Sequence, residues 1–229
     1  MKNFIKKIFK KAGFVVRRRT VDFNLPKMNY EDISQLLFFK RCFDYLGKVD
    51  GDVVECGVGQ GKSLLSLAFL IKDEMSGRKI WGFDSFEGFP EPSREDQSLR
   101  NVKKGDIYSN INSSNIVTFF EIAGMDRLLV KHQVNLIKGF FKNTLTTYRG
   151  SQIALLHIDA DLYDSYLDVL RELYPKVAKG GIIIFDEYIT TADYSKFPGA
   201  SKAVDEFFGQ LKSNIRRDKI TGKYYLVKT

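Results

Sequence analysis

Residues 52–63 read DVVECGVGQGKS, which is a short apolar strand, a glycine-rich turn and the first residues of a helix. Gly57, Gly59 and Gly61 stand at alternate positions, where the lack of a side chain lets the backbone come close to a bulky ligand. The helix that follows has free N–H groups in its first turn. Because open α/β sheets bind nucleotide-like ligands at the carboxyl ends of their strands, this stretch predicts both the fold class and a ligand site.

The glycine spacing matches neither of two common phosphate-binding patterns. A P-loop requires Gly-x-x-x-x-Gly-Lys-Ser/Thr, and Cys56 stands where its first glycine belongs, although residues 61–63 supply its end. A dinucleotide fingerprint requires Gly-x-Gly-x-x-Gly, and the run from Gly57 to Gly61 is one residue too short. Glu55, just before the first glycine, is a poor neighbour for a pyrophosphate. A carboxylate there suits a cationic ligand with amine and hydroxyl donors, which describes S-adenosylmethionine.

A second strand ends in an acid at a spacing that such a site requires. Residues 79–84 read as this strand, and Asp84 lies 23 residues beyond Gly61. An acid about 20 residues past the glycine turn accepts hydrogen bonds from a ribose diol. The predicted cofactor-binding residues are therefore Glu55, Gly57, Gly59, Gly61, Ser63, Asp84 and Ser85.

Composition limits the class of protein. The chain has 229 residues, 44% of them hydrophobic, which fits one α/β domain with its own core. Cys42 and Cys56 are too few for a disulfide framework and favour a reducing compartment. The longest apolar runs are too short for a membrane-spanning helix. We therefore predict a cytoplasmic protein.

The net charge of +8 belongs to the beginning of the chain. Residues 1–19 hold eight basic and no acidic side chains, which leaves 28 basic against 28 acidic residues elsewhere. The neutral body argues against a nucleic-acid partner. Charges interrupt the apolar residues of this end every two or three positions, unlike a secretory signal. Residues 1–29 are predicted to form a basic amphipathic arm, which is either solvated or packed on a partner, or else lies on the inner membrane surface.

The rest of the chain alternates helices and strands. Apolar periodicity predicts helices at 30–46, 64–72, 113–122, 125–131, 162–173 and 200–211, and strands at 52–57, 79–84, 133–138, 153–158 and 182–185. Residues 213–228 read as a hairpin turned at Thr221 and Gly222. This order predicts an α/β, doubly wound, mostly parallel sheet with an antiparallel C-terminal hairpin. The sheet and its helices are predicted to form one domain over residues 30–229, with a lid-like insertion at about 85–131.

Two apolar strands end in pairs of acids. Asp159 and Asp161 follow one strand, and Asp186 and Glu187 follow the next. These strand ends share one rim of the sheet, so the four carboxylates would repel one another unless a cation lay among them. Oxygen ligands without a nearby cysteine favour Mg²⁺, Mn²⁺ or Ca²⁺ over zinc. Helix capping is the alternative, and it explains Asp161 but not the other three. His157 is interpreted as a hydrogen-bonded structural histidine.

Together these motifs resemble the macrocin O-methyltransferase (TylF-type) family of metal-dependent, S-adenosylmethionine-dependent methyltransferases. The matching segments are residues 54–61, 84–90, 138–145, 157–165, 180–188 and 198–204. The resemblance implies a seven-stranded, Rossmann-like class I methyltransferase fold. It also implies methylation of a sugar hydroxyl on a small-molecule or glycan acceptor, in polysaccharide or natural-product biosynthesis.

The resemblance further implies roles for the four acids. Asp159, Asp186 and Glu187 would hold Mg²⁺, and Asp161 would be the general base. The family usually has two aspartates where this chain has Asp186 and Glu187. Asn143 also replaces a common aspartate. We expect a homo-oligomeric, Mg²⁺-dependent sugar O-methyltransferase.

Two other classes stay open on the sequence alone. One is a sugar-modifying oxidoreductase that uses a nicotinamide dinucleotide, which the short glycine spacing and Glu55 oppose. The other is a non-catalytic module that binds a membrane surface through residues 1–19, which the complete set of carboxylates opposes.

Overall fold

The structure, a computed structural model, describes residues 29–47, 49–107, 110–189 and 196–229. Within these ranges the strands are β1 Asp52–Cys56, β2 Ile80–Asp84, β3 Val134–Lys138, β4 Ile153–Ile158, β5 Val177–Phe185, β6 Arg216–Arg217 and β7 Tyr224–Val227. The α-helices are α1 Tyr30–Leu46, α2 Lys62–Glu74, α3 Ser113–Ile122, α4 Arg127–Gln133, α5 Phe141–Thr144, α6 Tyr163–Leu173 and α7 Pro198–Phe208. Residues 1–28 of the predicted basic arm lie outside the described residues. Both interpretations of the arm therefore stay predictions.

The strands form one seven-stranded sheet in the order β3-β2-β1-β4-β5-β7-β6. Strands β1 to β5 pair in parallel, and β7 is antiparallel to both β5 and β6. The predicted doubly wound sheet with an antiparallel C-terminal hairpin is thereby confirmed. Reversal of the strand order between β1 and β4 opens a crevice at their carboxyl ends, which is where ligands bind in such sheets.

The sheet is buried between two apolar layers. Successive side chains of a strand face opposite sides, so Val53 and Leu155 pack in the layer that holds α1 to α4. Val54 and Leu156 pack in the other layer, which holds α6 and α7. Both faces being covered explains why the central strands read as continuous apolar runs rather than as alternating ones.

Strand β5 is longer than the sequence predicts. The sequence predicts a strand that starts at residue 182, but β5 begins at Val177 and contains Gly180 and Gly181. The pairing with β4 is irregular there, because Ile153 opposes Val177 while Leu155 opposes Ile182. Extra residues on one strand produce such a bulge, and the positive φ of Gly180, 80°, accommodates it.

The predicted insertion contains two helices. Helix α3 has the predicted bounds, while α4 begins two residues later than expected because Asp126 caps it by accepting hydrogen bonds from Leu128 N and Leu129 N. The lid-like behaviour of residues 85–131 stays a prediction. Among the described residues, no helix has the length and apolar character that crossing a bilayer requires.

Candidate active site

A cavity of about 970 Å³ opens at the carboxyl ends of the central strands. Its size lies at the upper end of the range of small-molecule sites, roughly 300–1,000 Å³. The predicted site residues that line it are Gly57, Gly59, Ser63, Asp84, Ser85, Asp159, Asp161 and Asp186. Glu55, Gly61 and Glu187 do not line it. The chain therefore brings the glycine turn and most of the predicted acids to one cavity.

Asp84 braces the glycine turn. Its Oδ2 accepts hydrogen bonds from Val58 N and Gly59 N, both at 2.9 Å, and its Oδ1 accepts one from Phe86 N at 2.6 Å. A carboxylate that accepts several backbone hydrogen bonds has a fixed orientation, and in turn it fixes the loops around it. Its predicted contact with a ribose stays a prediction.

Gly57 brings the glycine turn against the acids of β4. Its φ is 96°, in the left-handed region, and a Cβ on it would lie 1.7 Å from the carbonyl oxygen of Asp159. Asp159 N also donates a hydrogen bond to Cys56 O at 2.8 Å. Any side chain at residue 57 would therefore push the glycine turn and Asp159 apart.

Glu55 and His157 form a buried pair across β1 and β4. They are register partners in the sheet, neither side chain is exposed, and His157 Nδ1 lies 2.8 Å from Glu55 Oε1. Burial raises the pKa of Glu55, although His157 opposes this. Burial lowers the pKa of His157, but the carboxylates of Asp186 and Glu55 outweigh it and raise that pKa to about 10. His157 is the hydrogen-bonded histidine that the sequence predicts, and the cofactor role of Glu55 stays a prediction.

Asp159, Asp161 and Glu187 converge on one point. Each offers a carboxylate oxygen within 4.8 Å of the others. Burial, and then repulsion from neighbouring carboxylates, raises the pKa of Asp159 to about 7, that of Asp161 to about 8 and that of Glu187 well above its usual range. A divalent cation among them would relieve this repulsion. The oxygen-only set therefore fits a hard cation such as Mg²⁺.

Asp186 has other partners. It forms an ion pair with Lys223, and its Oδ1 lies 3.6 Å from His157 Nε2. Burial alone would raise the pKa of Asp186, but His157 and Lys223 outweigh it and lower that pKa. Lys223 is a site residue that the sequence does not predict. Its position follows from the pairing of β5 with β7, in which Phe185 opposes Tyr224, so that the next pair is Asp186 and Lys223.

In the structure, Asp161 does not cap helix α6, which was its alternative role. The N-cap of α6 is Leu162, which makes no side-chain cap bond. The first amide of the helix, Tyr163 N, instead donates to Asp96 Oδ1 at 2.8 Å. Asp161 itself has a φ of 58°, and its carboxylate is left for the cluster with Asp159 and Glu187.

Residues 2–225 match the family model described as Macrocin-O-methyltransferase (TylF). The chain belongs to the macrocin-O-methyltransferase family. This assignment confirms the resemblance, and it confirms the predicted enzyme class, an O-methyltransferase.

Relatives with named activities are O-methyltransferases. The chain is 32% identical over 197 residues to demethyldecarbamoylnovobiocin O-methyltransferase of Streptomyces niveus, covering 82% of this chain and 70% of that protein. It is 30% identical over 167 residues to mycinamicin III 3''-O-methyltransferase of Micromonospora griseorubida, covering 69% of this chain and 61% of that protein. The match thus spans between three fifths and three quarters of these relatives.

Solved structures agree on the fold. The structure of the O-methyltransferase NovP superposes with a TM-score of 0.70 at 28% identity, covering 86% of this chain and 80% of that one. The calicheamicin methyltransferase CalS11 superposes with a TM-score of 0.72 at 24% identity, covering 87% of this chain and 80% of that one. The predicted class I methyltransferase fold is confirmed.

Proposed function

We propose that this chain transfers a methyl group from S-adenosylmethionine to a hydroxyl of a sugar or glycosylated metabolite, in a Mg²⁺-dependent reaction. The observation that carries the proposal is the cluster of Asp159, Asp161 and Glu187, which lies beside a glycine turn at the end of β1. The glycine turn would bind the methyl donor, and the carboxylates would serve the activation of a weakly acidic alcohol. The two features meet at one cavity.

The cofactor half of the cavity supports a cationic methyl donor. Gly57 and Gly59 line this half of the cavity, α2 begins directly after the turn, and Asp84 holds the turn in shape. The positive sulfonium is favoured by the acids around it. Fixing the methyl in line with an acceptor oxygen contributes several kcal/mol, at most roughly 7–11.

The carboxylates divide into metal ligands and a base. A bound divalent cation supplies Lewis acidity, which lowers the pKa of a coordinated hydroxyl. We assign its binding to Asp159, Asp186 and Glu187. We assign the acceptance of the hydroxyl proton to Asp161, because it lines the cavity beside the other carboxylates of the cluster.

The charge of the cavity supports an uncharged acceptor. Its lining includes three lysines, Lys62, Lys142 and Lys223, and nine acids, Glu31, Asp32, Asp84, Glu91, Asp159, Asp161, Asp164, Asp168 and Asp186. A divalent cation and a cationic cofactor would leave this lining negative. Like charges disfavour a pyrophosphate, so a neutral glycoside fits better than a nucleotide sugar.

Calorimetry and turnover assays test this function. S-adenosylmethionine should bind and NAD should not, and methyl transfer to neutral glycosides should stop in EDTA and return with added Mg²⁺. Binding of NAD in place of S-adenosylmethionine would favour the oxidoreductase alternative. Full activity in EDTA would contradict the proposed dependence on Mg²⁺.

Substitutions separate the roles of the acids. Asp159→Ala should lower turnover by more than the roughly 10–100-fold that loss of a ligand's supporting partner costs, while S-adenosylmethionine still binds. Asp161→Asn should keep Mn²⁺ affinity and lose turnover, whereas Asp186→Asn should lose both. The reverse pattern would exchange the roles of Asp161 and Asp186, since Asp161 groups with Asp159 and Glu187 in the structure.

A further inference from the structure

Helix α6 is capped from a distant part of the chain. A helix begins with N–H groups that lack partners within the helix, and the N-cap of α6, Leu162, has no side-chain acceptor. Asp96, 67 residues earlier, supplies one by accepting Tyr163 N at 2.8 Å through Oδ1. Asp161, the residue whose sequence position suits helix capping, is therefore not the acceptor.

Asp96 is itself held firmly. It is 3% exposed, and its Oδ2 accepts hydrogen bonds from Ser93 N and Ser93 Oγ, both at 2.8 Å. Gly199, at the start of α7, approaches so closely that a Cβ there would lie 2.0 Å from Asp96 Oδ1. Three segments of the chain thus meet at one carboxylate, and both of its oxygens are engaged.

The turn that carries Asp159 and Asp161 is fixed at both ends. Asp159 N donates to Cys56 O at 2.8 Å, and Tyr163 N donates to Asp96. Between these points Asp161 has a φ of 58°, a conformation that costs energy for a residue with a side chain. Such strain persists only where the surroundings determine it.

We propose that Asp96 is a positioning residue for the carboxylate cluster. By capping α6 from outside, it holds Asp161 in its left-handed conformation and keeps the Asp161 carboxylate beside Asp159 and Glu187. Without Asp96, the Asp161 carboxylate becomes the nearest acceptor for the first amides of α6 and is drawn away from the cluster. The inference rests on the proposed metal-dependent function.

Metal titration of the full chain tests it. Asp96→Ala should weaken Mn²⁺ binding, measured without substrate, by about 10–100-fold, the range for supporting partners of metal ligands. Binding of S-adenosylmethionine should stay unchanged. Asp126→Ala is the matched control, because Asp126 also caps a helix through backbone amides, those of Leu128 and Leu129, but its helix α4 does not adjoin the clustered acids. It should lower thermal stability and leave Mn²⁺ affinity unchanged.

Asp96→Asn should rescue part of the effect. An asparagine keeps an acceptor for Tyr163 N but turns an NH₂ group towards Ser93 N–H, so its Mn²⁺ affinity should fall between those of the wild type and Asp96→Ala. If Asp96→Ala does not fold, this variant carries the test. A folded Asp96 variant with wild-type Mn²⁺ affinity overturns the proposal.

Hydrogen exchange gives a readout that needs no metal. The amides of residues 159–165 should exchange faster in the Asp96 variants than in Asp126→Ala. If the wild type binds no Mn²⁺, the proposed metal site is wrong, while exchange at these amides still decides whether Asp96 holds the turn. Unchanged exchange there overturns the positioning role.

Discussion

Glu187 reaches the acid cluster because Tyr166 holds its longer side chain. The buried hydroxyl of Tyr166 lies 2.5 Å from Glu187 Oε2 and 3.0 Å from Ile158 O. Asp161 N points at the same glutamate oxygen from 3.4 Å. One oxygen of Glu187 is thereby fixed by the protein. A glutamate in place of the family's usual aspartate is therefore compatible with the proposed group of metal ligands.

Tyr166→Phe should disturb this arrangement without unfolding the chain. Loss of the hydroxyl leaves buried acceptors without their donor, which costs about 1–3 kcal/mol of stability. Mn²⁺ affinity should fall by about tenfold or more, as for other partners that orient metal ligands. Chemical denaturation and Mn²⁺ titration measure the two effects.

Tyr148→Phe is the matched control for this variant. The Tyr148 hydroxyl is also buried and donates to Gln152 O at 2.9 Å, but it lies before β4 and not at the carboxyl end that carries the cavity. We expect a similar loss of stability with unchanged Mn²⁺ affinity. Equal Mn²⁺ affinities for the two variants would contradict a special role for Tyr166.

At the scale of elements, the pairing of β1 with β4 aligns the site. The same register that opposes Cys56 to Ile158 also opposes Glu55 to His157. Helix α1 covers this pair, with the Phe39 ring edge-on to the imidazole at 5.2 Å between centroids. A shift of one residue would turn every side chain of the strand to the other face. The buried pair of Glu55 and His157 therefore disfavours any other register of β1 and β4.

Glu55→Ala should destabilise the fold strongly. It leaves the buried His157 Nδ1 without its partner, and breaking a buried ion pair in this way costs about 3–5 kcal/mol. The control is Glu87→Ala, since Glu87 pairs with Lys138 on the surface at 3.0 Å and such exposed pairs contribute about 0–1 kcal/mol. Urea denaturation compares the two, and equal losses would contradict the buried-pair interpretation.

A milder substitution separates the structural role of Glu55 from its predicted cofactor role. Glu55→Gln keeps an oxygen acceptor for His157 Nδ1, so the fold should survive. Weaker S-adenosylmethionine binding in that stable variant would support direct cofactor contact.

For the whole molecule, the raised pKa values couple stability to pH. Asp159 and Asp161 have folded pKa values of about 7 and about 8, whereas an unfolded aspartate has about 3.9. The folded state thus binds more protons, and the metal-free stability falls as pH rises through these values. His157, raised to about 10, acts in the same direction above its unfolded value. The lowered pKa of Asp186 contributes stability that is already complete above about pH 4.

The melting temperature in EDTA should therefore fall between about pH 5 and pH 8. Added Mg²⁺ should raise it more at pH 8 than at pH 6, because the cation competes with protons for the same oxygens. Asp159→Asn should flatten both dependences. A melting temperature in EDTA that rises over this interval would contradict the assignment of these acids to one buried cluster.

The sequence by itself determined the architecture and the location of the site. The glycine turn at residues 57–61 and the acids after β4 and β5 are local patterns, and a parallel sheet brings all strand ends to one rim whatever the details of packing. Periodicity likewise gave most helix bounds to within two residues, because an apolar face has the same repeat wherever it packs. The family resemblance also used residues 84–90, 138–145 and 198–204.

Only the tertiary structure decided which acids act together. Asp96 caps α6 across 67 residues, Lys223 pairs with Asp186, and Glu55 pairs with His157. A signal for the first contact was present, since Leu162 is a poor cap and Ser93 with Asp96 has capping-box spacing. None of the three can be read from local periodicity. Each depends on strand register and on segments distant in sequence packing to within hydrogen-bond distance, which only the folded chain provides.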